Sequence, residues 1–128
     1  MGEIRLANKR IYTFFVENPI SGDDIPLYRV PRDTLVQEIV AVRRGGVGTF
    51  GWELRFDPDS VNTGGGTLLH SGAAVGSTTG VIYSPPFTYA PGLIPAGDWV
   101  WLELLAVSTG LSRPVAALVQ MVAIEQGP

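Results

Sequence analysis

Paired carboxylates are the residues of this chain whose type and spacing could support acid–base chemistry. Glu53 and Glu103 each lie close to a tryptophan, and Asp23 is followed directly by Asp24. Glycoside hydrolysis needs two carboxyl groups at a set separation, and aromatic rings beside them would suit a sugar cleft. An outward-facing glutamate is, however, also the usual polar residue of an alternating strand. We prefer the second interpretation and assign these residues no catalytic role.

Three other candidate sites lack the partners that their chemistry needs. His70 is the only histidine, but no motif supplies the nucleophile or orienting carboxylate of a catalytic histidine, so an edge-strand histidine is favoured. Asp57, Asp59 and Asn62 resemble a calcium loop without the glycine and the final bidentate glutamate, which favours an Asx-type turn. Gly64–Gly66 lacks the lysine of a phosphate loop and is interpreted as a loop tip. The sequence therefore predicts no enzyme, no cofactor and no metal site.

The segment 97–107 is the most strongly patterned part of the chain. Val100, Leu102 and Leu104 occupy every second position, and Trp99 and Trp101 occupy positions between them, a period of two that predicts a long central β-strand. The two tryptophans should lie side by side on the second face, covered by a loop or by another protein. A platform on which sugars stack is the alternative. We treat Trp99 and Trp101 as a possible interaction surface.

Length and composition favour one small, turn-rich β domain. The chain has 128 residues, 45% of them hydrophobic, with 16 Gly, 10 Pro and no Cys, so its stability must come from a core without disulfides or thiolate metal sites. The net charge is -3, and no basic cluster is longer than a pair such as Arg43-Arg44. We therefore expect neither nucleic-acid nor membrane binding. No signal peptide or membrane span is recognisable either.

Seven or eight short strands with frequent turn signals predict an all-β, antiparallel, jelly-roll-like sandwich. The predicted strands span residues 10–17, 27–30, 34–43, 49–56, 67–70, 80–84, 97–107 and 115–124. Segment 34–43 also has the helical spacing of Leu35, Ile39 and Val42, but its many β-branched residues favour a strand. The short strand 27–30 lies between two prolines and should occupy a sheet edge.

Two further expectations concern the core and the N-terminus. The alternating residues Phe50, Trp52, Leu54 and Phe56 should pack on the row that contains Leu102. Residues 10–128 should form the single sandwich domain. Residues 1–9 form an N-terminal arm in which Ile4 and Leu6 supply little apolar area, so this arm should contact a neighbouring chain and belongs to the possible interaction surface.

Four segments together resemble a known class of proteins. They are Leu27-Tyr-Arg-Val-Pro31, Val36-x-Glu-Ile-Val-Ala-Val-Arg-Arg-Gly-Gly46, Trp52-x-Leu-Arg-x-Asp57-x-Asp59-Ser60 and Ile94-Pro-Ala-Gly-Asp-Trp-Val-Trp-Leu-Glu103. In this order they resemble the small β-sandwich structural modules of tailed-bacteriophage virions, which occur as capsid decoration proteins, head or tail fibre domains and tail tips. The resemblance spans residues from about 25 to the C-terminus.

What the resemblance implies is a structural role without enzymatic activity. It implies a virion protein made in the host cytoplasm, most closely a capsid decoration protein on the particle exterior. The expected partners are further copies of the chain, with a trimer favoured, and other virion proteins such as the major capsid protein. A receptor-binding or carbohydrate-binding module of a tail tip or fibre is the alternative, in which Trp99 and Trp101 would stack on the glycan.

Overall fold

The described part of the chain is an all-β domain built from nine strands. The computed structural model describes residues 9–17, 19, 24–59, 65–108 and 114–126. The strands are β1 (Lys9–Glu17), β2 (Asp24–Arg29), β3 (Thr34–Gly46), β4 (Phe50–Asp57), β5 (Thr67–Val75), β6 (Val81–Tyr83), β7 (Leu93–Ile94), β8 (Trp99–Leu105) and β9 (Pro114–Glu125). Within these residues there is no helix long and apolar enough to cross a membrane.

Two antiparallel sheets pack face to face. The first sheet has the order β1-β9-β3-β6, with the two-residue β7 also paired to β3, and the second has the order β2-β8-β4-β5. If β7 is left aside, these two strand orders are those of an eight-stranded jelly roll, in which every connection changes sheet except that between β4 and β5. The predicted fold class, an antiparallel jelly-roll-like sandwich, is therefore confirmed. β2 lies at a sheet edge, as predicted; Pro26 falls within the strand, where its pairing with β8 is irregular between Asp24 and Leu27, and Pro31 follows it.

Strand β3 confirms the choice of strand over helix. It pairs with β9 from Thr34 to Gly46, with one irregularity between Val36 and Glu38. This bulge adds a residue, so that Val36 and Ile39 both face the core although they are three positions apart. The helix-like spacing is thus partly a product of the bulge, and Leu35 and Ile39 lie on opposite faces of the sheet.

Strand β5 differs from its prediction, because it continues through Val75 where a bend over 71–79 was expected. Its small residues allow irregular pairing with β4, in which Gly72 lies opposite Trp52 and Val75 opposite Phe50. A side chain at Gly72 would collide with the indole of Trp52 and with the hydroxyl of Tyr83, 2.6 Å away. Gly72, which in a Ser/Gly/Ala sequence resembles a loop residue, is therefore required by close packing within a strand.

The core lies between the sheets and contains the predicted rows. Phe50, Trp52, Leu54 and Phe56 on β4 are buried, together with Val100, Leu102 and Leu104 on β8. Leu54 and Leu102 are direct cross-strand partners. β9 forms the centre of the first sheet, between β1 and β3, and its inner row, Ala117, Val119, Met121 and Ala123, belongs to the core.

The predicted N-terminal arm falls almost entirely outside the described residues. Lys9 is the first residue of β1, whereas Ile4 and Leu6 lie in the part of the chain that is not described. Its contact with a neighbouring chain stays a prediction.

Candidate interaction surface

The structure brings the two sequence-selected glutamates together on the outer face of the second sheet. Glu53 on β4 and Glu103 on β8 are direct cross-strand partners. Arg55, two residues after Glu53 and so on the same face, places its Nε 2.9 Å from Glu53 Oε1 and 3.8 Å from Glu103 Oε1. All three side chains are largely buried, and one guanidinium therefore partly neutralises two carboxylates.

Trp101 completes this cluster and is itself fully covered by its own chain. Its Nε1 donates a 2.8 Å hydrogen bond to Glu103 Oε2, and its exposed fraction is 0%. Gly65 and Gly66 lie beside this cluster: Arg55 donates to the carbonyl of Gly65, and a Cβ at Gly66 would lie 3.0 Å from Trp101 Cη2. Gly66 also has a φ of +68°, a conformation that favours glycine.

This arrangement stabilises the sheet, and each of the two carboxylates has a polar partner within it. Glu103 accepts from Trp101 and lies beside Arg55, and Trp101 has no exposed surface on which a sugar ring could stack. Arg55 was not selected from the sequence, and Gly66 was considered there only as part of the Gly64–Gly66 loop tip. The signal for Arg55 is its spacing of two from Glu53, which places both on one face of a strand.

Trp99, the other sequence-selected tryptophan, is partly exposed at the end of β8. The guanidinium of Arg29 lies 5.6 Å from the centroid of its ring, and Arg29 Nε donates a 3.1 Å hydrogen bond to the carbonyl of Gly97. This is the geometry of a cation–π contact. With Trp101 buried and Trp99 covered in part by Arg29, the two rings do not form an open stacking platform.

His70 lies on the edge strand β5, among aromatic side chains. The backbone N–H of Thr88 donates a 3.1 Å hydrogen bond to Nδ1, so Nε2 carries the proton of the neutral ring. The rings of Tyr83 and Phe87 each lie 5.4 Å away in edge-to-face contact. Burial among these groups lowers the pKa of His70 below its ordinary value of 6.5, because it disfavours the charged imidazolium.

The lowered pKa of His70 predicts a pH dependence of stability. The unfolded chain takes up the proton near the ordinary value of 6.5, whereas the folded chain takes it up only at lower pH. We therefore expect the free energy of unfolding to decrease as pH falls from about 6.5 to the folded-state pKa, and to level off below it. Denaturant unfolding across this range should show the slope, and His70→Gln should remove it. An unchanged slope in the variant would contradict the role of His70.

The predicted Asx-type turn is present in the segment that the sequence analysis compared with a calcium loop. The backbone N–H of Asp59 donates a 2.8 Å hydrogen bond to Asp57 Oδ1, and Asn62 lies outside the described residues. Among the residues that can be placed, no group of three or more carboxylate, histidine or cysteine side chains could hold a metal ion. Asp57 and Asp59 do have an electrostatic neighbour that the sequence did not indicate: Asp98, whose pKa is raised by burial and by these two carboxylates.

Neutralising Asp98 is expected to stabilise the protein at neutral pH. Asp98 is only 5% exposed, and burial together with the carboxylates of Asp57 and Asp59 disfavours its charged form. Because its pKa is raised, stability is lost as pH rises through the window above the unfolded value. Asp98→Asn should therefore raise the Tm at neutral pH, with a gain that disappears in acid. Asp33→Asn is the control, since Asp33 accepts a hydrogen bond from Ala96, and it should give no gain.

The outer face of the first sheet carries exposed apolar side chains. Strand alternation places on it nine apolar side chains larger than alanine from β1, β3, β6 and β9, and we call this surface the apolar face. Ile11, Phe15 and Ile82 are 61%, 45% and 64% exposed. Its members are Ile11, Phe15, Leu35, Val40, Val42, Ile82, Leu118, Val122 and Ile124. Contiguous exposed apolar area of this kind is typical of a protein–protein contact.

Polar groups near the centre of the apolar face satisfy one another. Gln120 and Thr13 are cross-strand partners, and Gln120 Nε2 donates a 3.3 Å hydrogen bond to Thr13 Oγ1. The free edge of β1 is also partly blocked, because the hydroxyl of Tyr28 donates a 2.7 Å hydrogen bond to the carbonyl of Thr13. Covering the face would thus leave Thr13 and Gln120 paired with each other, and Glu38 in the row of Ile11 and Val122 is the carboxylate that it would desolvate. Adding a strand to β1 would instead displace Tyr28.

Comparison of this chain with models of known protein families, with curated proteins and with solved structures found no match.

Proposed function

We propose that this chain is a structural protein of a tailed-bacteriophage virion, acting as a capsid decoration protein that binds other virion proteins on the particle exterior. The observation that carries the proposal is the apolar face, on which Ile11, Phe15 and Ile82 remain well exposed. A sheet face of this composition gains free energy when another protein covers it. The chain acts by binding, and no catalytic step is part of the proposal.

The contacts of the side chains that could act as acids or bases support a non-catalytic role. Glu53 and Glu103 share Arg55, and Glu103 also accepts from Trp101. The Nδ1 of His70 is occupied by the backbone N–H of Thr88. A general acid or base needs access to its substrate, and these hydrogen bonds instead join the side chains to their own domain.

The fold supports the proposal only in part, because jelly rolls occur in viral capsid proteins, lectins and cupins alike. The phage assignment is supported by the resemblance of residues from about 25 to the C-terminus to virion modules. The buried state of Trp101 favours assembly over glycan stacking, since a stacking site needs exposed rings.

The test is the presence and position of the chain in virions. Particles produced from the genome that encodes the chain are purified on a density gradient, and the chain is sought by mass spectrometry and by antibody labelling of intact particles. We expect a fixed ratio to the major capsid protein and labelling of the capsid exterior. Virions that lack the chain, or a gene outside any phage or prophage genome, would contradict the proposal. Labelling confined to the tail tip, together with glycan binding, would favour the receptor-binding alternative.

A further inference from the structure

We propose that the apolar face is a self-association surface, on which the apolar face of a second copy of the chain packs across a twofold axis. This proposal names one partner for the assembly role proposed above, and it rests on that role. It also differs from the surface selected from the sequence, since Trp101 is buried by its own chain and the apolar face belongs to the other sheet.

The cross-strand register arranges the apolar face in rows. Phe15, Leu118 and Val42 form one row across β1, β9 and β3, and Thr13, Gln120, Val40 and Ile82 form the next. The hydrogen-bonded pair of Thr13 and Gln120 lies in this second row, and the row on its other side contains Ile11, Val122 and Glu38.

The charges around the apolar face are complementary to those of a second copy. The exposed side chains of Lys9 and Glu17 lie at opposite ends of β1 on this face, and Arg44 lies across the sheet from Glu17, in the row Glu17, Ala116, Arg44. A twofold axis parallel to the strands places Glu17 opposite Arg44 of the partner subunit. A twofold axis across the strands places Glu17 opposite Lys9 of the partner subunit.

Neither axis brings like charges together. Glu38, the remaining acidic residue of the face, lies in the row of Ile11 and Val122, and both axes place it opposite an apolar residue. A partner surface of one uniform charge would repel either Glu17 or the two cations. Opposite charges at the rim of an interface favour the matching orientation and exclude others, and a second copy supplies that pattern.

The area of the apolar face suits a reversible dimer. Three strands and the nine residues of β1 give a flat footprint of roughly 14 Å by 27 Å per copy. Ile82 lies beyond this footprint, and side chains that project from the sheet add further surface area. Two copies together would therefore bury about 1,000 Å², which is the lower limit for a specific interface. We therefore expect a concentration-dependent dimer with a dissociation constant of roughly 1 to 100 μM.

The test is sedimentation velocity of the full chain over a wide range of concentrations, with variants on both sheets. Wild type should shift from monomer to dimer. Ile11→Lys and Phe15→Lys place a charge on exposed positions of the apolar face and should weaken association at least tenfold. Leu105→Lys is the matched control, because Leu105 is 40% exposed on the outer face of the second sheet, and it should leave association unchanged. Circular dichroism verifies that each variant is folded.

Charge exchange tests the same contact without adding charge to the apolar rows. Glu17→Arg should weaken the dimer under either axis. Combining it with Arg44→Glu should restore association if the axis runs along the strands, and combining it with Lys9→Glu should restore it if the axis runs across them. Failure of both combinations to restore association would overturn the twofold contact.

Other outcomes separate this proposal from the assembly role. A chain that stays monomeric at all concentrations, or that forms a trimer, overturns the twofold contact. If such a chain still binds virions and Ile11→Lys abolishes that binding, the apolar face binds another virion protein and the assembly role stands. A dimer that is lost in Ile11→Lys and is absent from virions supports the self-association surface and contradicts the assembly role.

Discussion

Truncation of Leu102 to Ala is expected to lower the free energy of unfolding by about 2 to 5 kcal/mol. Leu102 is fully buried at the centre of β8 and faces its cross-strand partner Leu54 within the core. The loss combines the transfer free energy of the removed carbons with the cost of the cavity that a close-packed core cannot close. Chemical denaturation of wild type and variant would measure it.

Leu105→Ala provides the control on the same strand. Leu105 lies three residues further along, on the outer face, and is 40% exposed, so its truncation should lower stability by no more than about 1 kcal/mol. A larger loss for Leu105→Ala than for Leu102→Ala would show that the register of β8 is displaced by one residue, since such a shift exchanges the inner and outer faces.

Replacement of Arg55 by Met is expected to lower the free energy of unfolding by about 3 kcal/mol. Arg55 is the cation between Glu53 and Glu103, which are direct cross-strand partners. Without it, two largely buried carboxylates face each other with no guanidinium between them, and like charges opposite one another destabilise a sheet. The carbonyl of Gly65 also loses its donor, so thermal and denaturant unfolding should both detect the change.

A double-mutant cycle isolates the electrostatic part of that loss. Glu53→Gln in the Arg55→Met background should recover stability, because it removes one of the two facing carboxylates, whereas Glu53→Gln alone should not stabilise the protein. We expect a coupling energy of about 1 kcal/mol or more. Arg44→Met, which changes an exposed arginine, should have little effect. Additive losses at Glu53 and Arg55 would show that the ion pair contributes nothing.

Much of the fold was predictable, because strand formation and core assignment depend on local alternation. The rows that contain Trp52, Leu54 and Leu102 were identified from the period of two, and Pro26 and Pro31 indicated an edge strand. The end of β5 was not predictable. Its Ser/Gly/Ala residues are typical of a loop, and only the indole of Trp52 across the sheet explains why Gly72 lies in a strand.

The candidate sites were less predictable, because the environment of an outward-facing side chain depends on segments that are distant in sequence. The sequence by itself determined that Glu53, Arg55 and Glu103 are on strands and that Trp101 lies on the second face of β8. Only the tertiary structure decided that β4 pairs with β8, so that Glu53 lies opposite Glu103 beside Arg55. It likewise placed Gly66 against the ring of Trp101.

The apolar face shows the same division between local and long-range information. Alternation within β1 and β9 indicates which residues point outward, and these segments are apolar on both sides in the sequence itself. These residues form one surface because β9 lies between β1 and β3, which are far from it in the chain. The period of a strand is a local property of the backbone, whereas neighbouring strands are selected by the global packing of two sheets.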